Sequence, residues 1–390
     1  MKKKSKKPNI LLRFLAFLTT VALVAGALAL VVFRDQLNMD ALKRYITYRS
    51  LTRDADGQAQ SFSYDGTVQD SFADLNGSLL VAGDTGIRLY SPAGVLLADE
   101  TVALENPVVY ACGKYAVVYD AGGVSLRLYN GSQQLLSVEN EGTVLAASVN
   151  SSGWLAVTHQ TSGHKGAVTV YDGSQKKRVQ FNYSTRFVMD ALISEDNSSL
   201  CVITVGLNES AFSSYLSMYD LDTSLSAGTY DNTPRSELAL GSCVVLALRG
   251  GSGTLRILGD NFLSLCSPSG EQSQVYDYSD RYLKAFSLDG DGHTALLLGK
   301  YRAGSAAELT IVGDQGEVTA SLSLNEQVLS ISAAGRYIAV LTADRLDIYT
   351  QDLEIYSTLE GTSGARRVLV RSDGSAMLIG SETAHLYLPT

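Results

Sequence analysis

Short apolar runs alternate with polar turns along most of the chain, and the pattern is clearest between residues 328 and 358. Residues 337–341, 345–349 and 353–357 read as three short strands separated by polar turns, and residues 328–332 precede them as a fourth. Short strands joined by tight turns pair as an antiparallel meander. This stretch therefore predicts a four-stranded sheet.

Variants of this four-stranded sequence pattern recur along the chain. The third strand of each unit ends in an apolar residue followed by tyrosine and a turn, and two copies are degenerate. The copies are Leu89-Tyr90, Leu128-Tyr129, Val170-Tyr171, Met218-Tyr219, Leu265-Cys266, Ile311-Val312, Ile348-Tyr349 and Leu386-Tyr387. Successive copies lie 37 to 48 residues apart, and a period of about 40–45 residues is typical of four-stranded propeller blades.

The second strand of each unit is a continuous apolar run, which suits a strand covered on both faces by neighbouring blades. We predict an all-β fold, an eight-bladed β-propeller over residues 60–390. Seven blades would result if one degenerate unit is a long insertion. The last unit has no fourth strand before the chain ends, so we expect residues 60–64 to complete it and close the ring. Long loops at 207–212 and 301–306 predict a partner-binding face.

A transmembrane helix is predicted ahead of the propeller. Five lysines in residues 1–9 precede an apolar run over residues 10–33, interrupted by Arg13. As a helix this run is about 36 Å long, enough to cross a hydrocarbon core of about 30 Å. A cleaved signal peptide is the alternative, because Ala25-Gly26-Ala27 resembles a cleavage site. We favour an uncleaved, single-pass anchor with a cytoplasmic N-terminus and an extracellular propeller. Residues 34–59 are expected to form a juxtamembrane helix and a spacer.

The charge is divided between these parts. The whole chain carries −9, but residues 1–57 carry +7 and the remainder −16. An acidic propeller argues against a nucleic-acid partner, which would need a basic surface. The four cysteines show no CxxC spacing and each lies in an apolar, strand-like run. We therefore expect buried free thiols.

No catalytic, phosphate-binding or dinucleotide-binding motif occurs in the sequence. We therefore predict no cofactor and no catalytic residues. His159 and His164 flank one hairpin loop, but no third and fourth ligand lies nearby in the sequence, so we expect no metal site there.

Arginines stand at the approaches to several first strands: Arg186, Arg281 and the pair Arg366-Arg367. In a propeller these positions lie near the rim of the central channel. Arginines that converge on one rim would bind an anionic group through paired hydrogen bonds. The alternative is that each pairs with a nearby carboxylate, such as Asp190 or Asp280.

With the lysine-rich start, the single apolar span, the segment DALKRYITYRSL (residues 40–51) and the repeated apolar-Tyr-turn strands, the chain resembles a known group. It is similar to the single-span, extracytoplasmic β-propeller proteins of unknown function from clostridia-like Gram-positive bacteria. The resemblance covers essentially the whole length and implies a cell-surface location but no reaction. More distantly the blades resemble WD40-like and quinoprotein-like repeats. Trp154 is the only tryptophan, so the tryptophan motifs of both are missing.

The sequence thus favours a membrane-anchored, non-catalytic binding or scaffold module outside the cell. Its partner would be an envelope protein or a cell-wall polymer. The alternative is an envelope glycan hydrolase or lyase with carboxylates at the channel mouth. A signalling role through the span is disfavoured, because a tail of about nine residues leaves no output domain.

Overall fold

The computed structural model describes residues 14–21, 23–24, 39–67, 69–208, 211–221, 233–251, 253–267 and 270–389. Residues 1–50 and 51–390 form two separate compact units. In the first unit a helix spans Met39–Tyr48, and residues 14–21 and 23–24 are helical. Most of the predicted span at 10–33, and all of the predicted tail at 1–9, lie outside the described residues. None of the described helices has the length and apolarity needed to cross a membrane.

The second unit contains eight four-stranded antiparallel sheets. The prediction of an eight-bladed β-propeller is therefore confirmed, and the seven-bladed alternative is wrong. Blade 1 contains β2 (Ser71–Leu75), β3 (Ser78–Ala82), β4 (Gly86–Tyr90) and β5 (Leu96–Thr101), and blade 2 contains β6 (Pro107–Cys112), β7 (Tyr115–Asp120), β8 (Ser125–Asn130) and β9 (Gln133–Glu139). Blade 3 contains β10 (Val144–Val149), β11 (Leu155–His159), β12 (Gly166–Tyr171) and β13 (Lys177–Tyr183). Blade 4 contains β14 (Phe187–Ile193), β15 (Ser199–Asn208), β16 (Ala211–Asp220) and β17 (Ser236–Gly241).

Blades 5 to 8 follow the same plan, and the last one includes the strand nearest the start of the unit, β1 (Phe62–Ser63). Blade 5 contains β18 (Val245–Gly251), β19 (Thr254–Gly259), β20 (Phe262–Cys266) and β21 (Gln272–Asp277), and blade 6 contains β22 (Tyr282–Ser287), β23 (His293–Gly299), β24 (Ala307–Gly313) and β25 (Val318–Leu324). Blade 7 contains β26 (Ser330–Ala334), β27 (Tyr337–Leu341), β28 (Arg345–Thr350) and β29 (Ile355–Glu360). Blade 8 contains β30 (Ala365–Val370), β31 (Ala376–Gly380), β32 (Thr383–Tyr387) and β1.

Each blade is an antiparallel meander, and this defines two faces of the propeller. The start of every first strand, the loop between the second and third strands, and the end of the fourth strand lie together on one face. We call it the upper face and the opposite one the lower face. The first strands line the central channel.

The hydrophobic cores lie between neighbouring blades. Second strands such as β11, β27 and β31 are buried along their whole length. One buried cluster joins blades 3 and 4 through residues such as Val168 and Val202, and another joins blades 7 and 8. Each blade therefore depends on its neighbours to cover its apolar faces, as expected for a repeat protein.

Buried arginines form hydrogen bonds across several of the interfaces between neighbouring blades, which we call seams. Arg256 of β19 is 2% exposed and donates to Asp314 Oδ1 of blade 6 at 2.8 Å and to the Leu288 carbonyl at 2.9 Å. At the seam between blades 8 and 1, Arg371 donates to Asp74 Oδ1 at 2.6 Å. Because these guanidinium groups are buried and held by several acceptors, they fix the blades relative to one another.

The ring is closed by strand β1, which pairs antiparallel with β32 through Phe62 opposite Ala384. The backbone on either side of β1 extends this pairing. The Ala59 N–H donates to the Leu386 carbonyl at 2.8 Å, and the Tyr64 N–H donates to the Glu382 carbonyl at 3.2 Å. The outermost strand of the last blade therefore comes from the start of the unit.

Tyr64→Phe is expected to lower the free energy of unfolding by about 1 kcal/mol, because the buried Tyr64 hydroxyl donates to the Gly380 carbonyl at 2.7 Å. Burial raises the pKa of Tyr64 to about 12, so the donor is present at neutral pH. Urea unfolding measures the loss, with Tyr282→Phe as a control at an exposed tyrosine. Equal stability of the two variants would mean that this contact does not hold the closure.

The four cysteines are free thiols. Cys201 and Cys266 are buried on β15 and β20, and Cys112 ends β6. Cys243 lies in the loop before β18 and is partly exposed. The expectation of buried thiols is therefore confirmed for Cys201 and Cys266 and wrong for Cys112 and Cys243, which are partly exposed. Cys243 also lies outside any strand, because its neighbours form a connection from an outermost strand to the next innermost one.

Candidate functional site at the upper mouth of the channel

Blade 4 carries the longest hairpin of the propeller. Strands β15 and β16 have ten residues each and pair without interruption from Ser199 opposite Asp220 to Asn208 opposite Ala211. The second and third strands of the other blades have five to seven residues. The extra length carries the hairpin beyond the upper face, where Leu207 and Phe212 stand opposite each other and are 69% and 63% exposed.

The first strands of blades 4, 5 and 6 present large apolar side chains at their upper ends. Within the described residues, the exposed large apolar side chains on first strands all belong to these three blades. On an innermost strand, the direction not covered by neighbouring blades is the channel, so these side chains line it. All of them lie towards its upper mouth except Phe286, which is near the lower end of β22. With Val244 just before β18, the hairpin tip and Tyr301 of the blade 6 loop, they form the apolar mouth surface: Phe187, Met189, Leu207, Phe212, Val244, Leu246, Tyr282 and Tyr301.

Basic side chains lie among these apolar groups. Lys165 Nζ lies 5.0 Å from the centre of the Phe187 ring, and Lys300 Nζ lies 5.6 Å from that of Tyr301. Lys284 of β22 donates to the Gly304 carbonyl in the long blade 6 loop. Although the propeller as a whole is acidic, the upper face of blades 3 to 6 therefore presents positive charge beside apolar surface.

Arg186 immediately precedes β14, as predicted, but its guanidinium already has partners. It donates to Glu237 Oε2 of β17 at 2.7 Å and lies 3.6 Å from the centre of the Tyr215 ring. Both partners belong to the outer half of blade 4. The predicted pairing with Asp190 is wrong, because the side chain extends outward over its own blade and not into the channel.

Arg281 immediately precedes β22 and is bound in the same way. Its Nη1 donates to Glu308 Oε1 of β24 at 3.2 Å, and its Nη2 donates to the Tyr276 hydroxyl. The predicted contact with Asp280 is present at 3.7 Å. Arg186 and Arg281 thus satisfy most of their charge within the propeller.

Arg366 and Arg367 are the second and third residues of β30 and are both exposed. Arg366 donates to the Ala365 carbonyl at 3.0 Å, and no ion pair involves either residue within the described part of the chain. The four predicted arginines are therefore distributed over the upper sides of blades 4, 6 and 8. Their role in ligand binding stays a prediction.

A polar cluster constricts the lower part of the channel. Arg249 of β18 donates to the Ala111 carbonyl of β6 at 2.8 Å, although blades 3 and 4 lie between these strands along the ring. Its guanidinium lies 4.2 Å from the centre of the Tyr110 ring and donates to Asp289 Oδ1 at 2.5 Å. One side chain therefore bridges blades 2, 5 and 6 across the channel.

The same cluster contains a thiol that is unsuited to nucleophilic catalysis. Cys112 Sγ lies 3.7 Å from Glu195 Oε1. Burial and the nearby Glu195 carboxylate raise the pKa of Cys112 to about 11, so the protonated thiol predominates at neutral pH.

Asp190 is a carboxyl group within the channel wall. It lies on β14 beside the bulge at Val188, and its Oδ1 accepts a hydrogen bond from the Ala191 N–H at 2.8 Å. Burial raises its pKa to about 7, although that hydrogen bond opposes the shift. The sequence identified neither Asp190 nor Arg249 as part of a cluster. The available signal was a single charged residue inside each of two otherwise apolar first strands.

The histidines have separate environments. His159 Nε2 lies 2.8 Å from Thr169 Oγ1 inside blade 3, and His164 Nδ1 lies 2.8 Å from Ser184 Oγ on the surface. Within the described ranges, no group of three His, Cys, Asp or Glu side chains is arranged to hold a metal ion. These two histidines therefore make ordinary structural contacts.

Comparison with known proteins identifies a family and the fold. Residues 51–355 match a family described as a family of unknown function (DUF5711). No curated protein matches the chain.

Solved structures with a similar fold include three that align over most of this chain. The C-terminal WD40 domain of Sif2 aligns with a TM-score of 0.60 at 14% identity, over 87% of this chain and 100% of that one. BamB from Moraxella catarrhalis aligns with a TM-score of 0.52 at 15% identity, over 85% and 96%. A eukaryotic initiation factor aligns with a TM-score of 0.51 at 11% identity, over 84% and 82%. At these identities the likeness shows the propeller fold alone.

Proposed function

Since the chain belongs to DUF5711, a family of unknown function, we propose a function for it from the geometry of the propeller. It is a non-catalytic binding module that holds a protein partner on the apolar mouth surface. The fold is compatible with such a module. The observation that carries the proposal is the concentration of exposed apolar side chains on three successive blades around the channel mouth.

Exposed apolar side chains scattered singly need no partner, whereas a group of them on one face marks an interaction site. Here four of the eight are aromatic, and Leu207 lies with Phe212 at the tip of the long blade 4 hairpin. Aromatic side chains contribute strongly to binding when a partner covers them. Because Lys165, Lys284 and Lys300 lie among them, the partner segment is one that carries apolar side chains together with acidic ones.

The location proposed for the module is the outer side of the cell membrane. The apolar run over residues 10–33 and the preceding lysines support a single-pass anchor with a cytoplasmic N-terminus. The resemblance to clostridial single-span propellers supports the same placement. The partner would then be an envelope protein, with a cell-wall polymer as the other candidate ligand.

Replacing three residues of the apolar mouth surface by serine (L207S, F212S and Y282S) is expected to reduce partner recovery at least tenfold. Loss of a few central apolar contacts commonly costs 2 kcal/mol or more, which is roughly thirtyfold in affinity. The measurement is a cross-linking pull-down from intact cells, quantified by mass spectrometry. The matched control is V95S with I355S, which removes exposed apolar side chains on the lower side of blades 1 and 7. Equal recovery with both sets would contradict the proposal.

The same pull-down tests whether the four predicted arginines bind a ligand. Arg366→Gln with Arg367→Gln changes two exposed cations, whereas Arg186→Gln with Arg281→Gln breaks ion pairs inside blades 4 and 6. If the four arginines bind a ligand, both double variants lose it. If the unmodified chain recovers only cell-wall glycan, the ligand is a polymer and not a protein.

A glycan hydrolase or lyase would need two available carboxyl groups near the channel. Among the described residues of the channel cluster, Asp289 is paired with Arg249, and Glu195 accepts a hydrogen bond from Ser151. Asp190, whose pKa is raised to about 7, is the third carboxyl group of the described channel wall, and it is not paired with a second available one. The engaged contacts of Asp289 and Glu195 therefore favour a structural role for the cluster and a binding module over an enzyme.

A further inference from the structure

The helix Met39–Tyr48 has three different sides. Arg44 and Tyr48 are buried on one side, and Lys43 and Thr47 form an exposed polar strip next to it. The third side carries large apolar side chains that are 51% to 68% exposed, at spacings of three and four residues that place them on one surface of a helix. We call them the apolar helix face: Met39, Leu42, Tyr45 and Ile46.

Four exposed apolar side chains on a helix of ten residues call for a surface that covers them. Each Å² of apolar surface removed from water contributes about 25 cal/mol, and a group of such side chains on one face marks an interaction site. A helix with an exposed apolar side beside a polar strip is the form that lies in a membrane interface, with its apolar side buried about 5–10 Å. Tyrosine, present here as Tyr45, is enriched at that depth.

The place of the helix in the chain favours a lipid surface over a protein partner. The apolar run that supports the anchor ends at Phe33, and only residues 34–38 separate it from Met39. An extended chain advances at most about 3.6 Å per residue, so Met39 lies within roughly 22 Å of the end of the run. In every molecule that the run anchors, the bilayer is therefore within reach of this helix, whereas a second copy or a partner protein has to be recruited.

The charge of this segment fits the same partner. Residues 39–50 contain three basic residues and one acidic residue, Asp40, which gives a net charge of +2. Lys43 on the polar strip and Arg49 just after the helix are both exposed. Anionic headgroups attract a basic residue near the surface by about 1 kcal/mol, so the exposed charges of the segment add to the attraction of its apolar side chains.

We propose that the apolar helix face lies in the membrane interface, with the helix parallel to the lipid surface. This inference rests on the single-pass anchor of the proposed function and adds a second membrane contact to it. Leu42 and Ile46 contact the acyl chains, the Tyr45 hydroxyl stays among the headgroups, and Lys43 extends its ammonium group to them. The partner of this surface is a lipid bilayer with anionic headgroups.

The test uses the full chain in nanodiscs of phosphatidylcholine and phosphatidylglycerol, with and without bromine on the acyl chains. Tyr45→Trp places a fluorescent probe on the apolar helix face, Thr47→Trp places one on the polar strip, and Trp154, packed against a buried cluster, is a background common to both. Bromine is expected to quench the Tyr45→Trp probe at least about twofold more than the Thr47→Trp probe, because only the apolar side is buried. Equal quenching would overturn the proposal. A chain that does not insert into the discs would overturn the anchor as well.

Leu42→Gln with Ile46→Gln, added to Tyr45→Trp, distinguishes a helix buried in lipid from one that is merely tethered nearby. Quenching is expected to fall to the level of Thr47→Trp, because two apolar side chains no longer favour the interface. The melting temperature of the propeller should not change, since both side chains are exposed.

The matched control is Val95→Gln with Ile355→Gln, which changes two exposed aliphatic residues of the propeller and should leave the quenching of Tyr45→Trp unchanged. Quenching that survives Leu42→Gln with Ile46→Gln would overturn the proposal. If the difference between the Tyr45→Trp and Thr47→Trp probes appears only in discs that hold two chains, a second copy covers the apolar helix face, and the lipid contact is overturned.

Discussion

Arg256→Met is expected to lower the free energy of unfolding by about 3–5 kcal/mol, which is typical when one partner of a buried ion pair is removed. Arg256 is 2% exposed, while the Asp314 side chain is 20% exposed. The substitution leaves the Asp314 carboxylate and the Leu288 carbonyl without their donors at the seam between blades 5 and 6. Urea unfolding followed by circular dichroism measures the loss.

The control is Arg367→Met, which changes an exposed arginine on β30 and should shift stability by less than about 0.5 kcal/mol. Arg256→Met combined with Asp314→Asn should recover part of the loss, because the second change removes the buried charge left behind. If Arg256→Met is as stable as the control, Arg256 fills space at the seam and its ion pair does not contribute to the free energy of unfolding.

The repeat made the architecture predictable from sequence. Each third strand ends in an apolar residue and a turn, and each second strand is apolar throughout, because both must fit between two neighbouring blades. These requirements recur in every blade and therefore leave a period in the chain. The degenerate copies at Cys266 and Val312 keep the burial of the tyrosine positions that they replace, at 0% and 1% exposure, and so they did not disturb the count of eight.

The positions of the two long connections were predictable for the same reason, since extra residues between a second and a third strand have to project from the upper face. The loop predicted at 301–306 is confirmed. The loop predicted at 207–212 is wrong, because Leu207 and Phe212 pair with each other and continue strands β15 and β16. Which apolar residues stay exposed was not predictable. Phe187 and Val188 are adjacent and both apolar, yet Phe187 is 50% exposed and Val188 is 1% exposed.

Charge pairs between distant segments were the least predictable feature. The partner of Arg186 is Glu237, 51 residues away, and that of Arg371 is Asp74, 297 residues away. Such pairs depend on how blades are placed side by side and on ring closure, and neither leaves a local pattern. Arg249 shows the same limit, since its contact with Ala111 crosses the channel.

Asp190→Asn is expected to stabilise the protein at alkaline pH and to leave it nearly unchanged at acidic pH. The pKa of Asp190 is raised from an ordinary value of 3.8 to about 7 by burial, so the folded state prefers the neutral carboxyl group. Stability is therefore undiminished below pH 4, falls as the pH rises through the interval between the two values, and is constant above about pH 7. A shift of this size corresponds to about 4 kcal/mol, reduced to about 2 kcal/mol because the Asp190 side chain is partly exposed to solvent.

Urea unfolding of the parent chain and of Asp190→Asn at pH 4 and pH 8 tests this expectation, because other titrating groups cancel in the difference. The variant should be more stable than the parent by about 2 kcal/mol at pH 8 and equal to it at pH 4. Asp280→Asn, at a carboxylate with an 85% exposed side chain, should show no such change. An equal difference at both pH values for Asp190→Asn would mean that the channel wall leaves this carboxyl group hydrated. If the stability difference between Asp190→Asn and the parent chain grows with pH, then ionisation of Asp190 is what lowers the free energy of unfolding of the propeller at neutral pH.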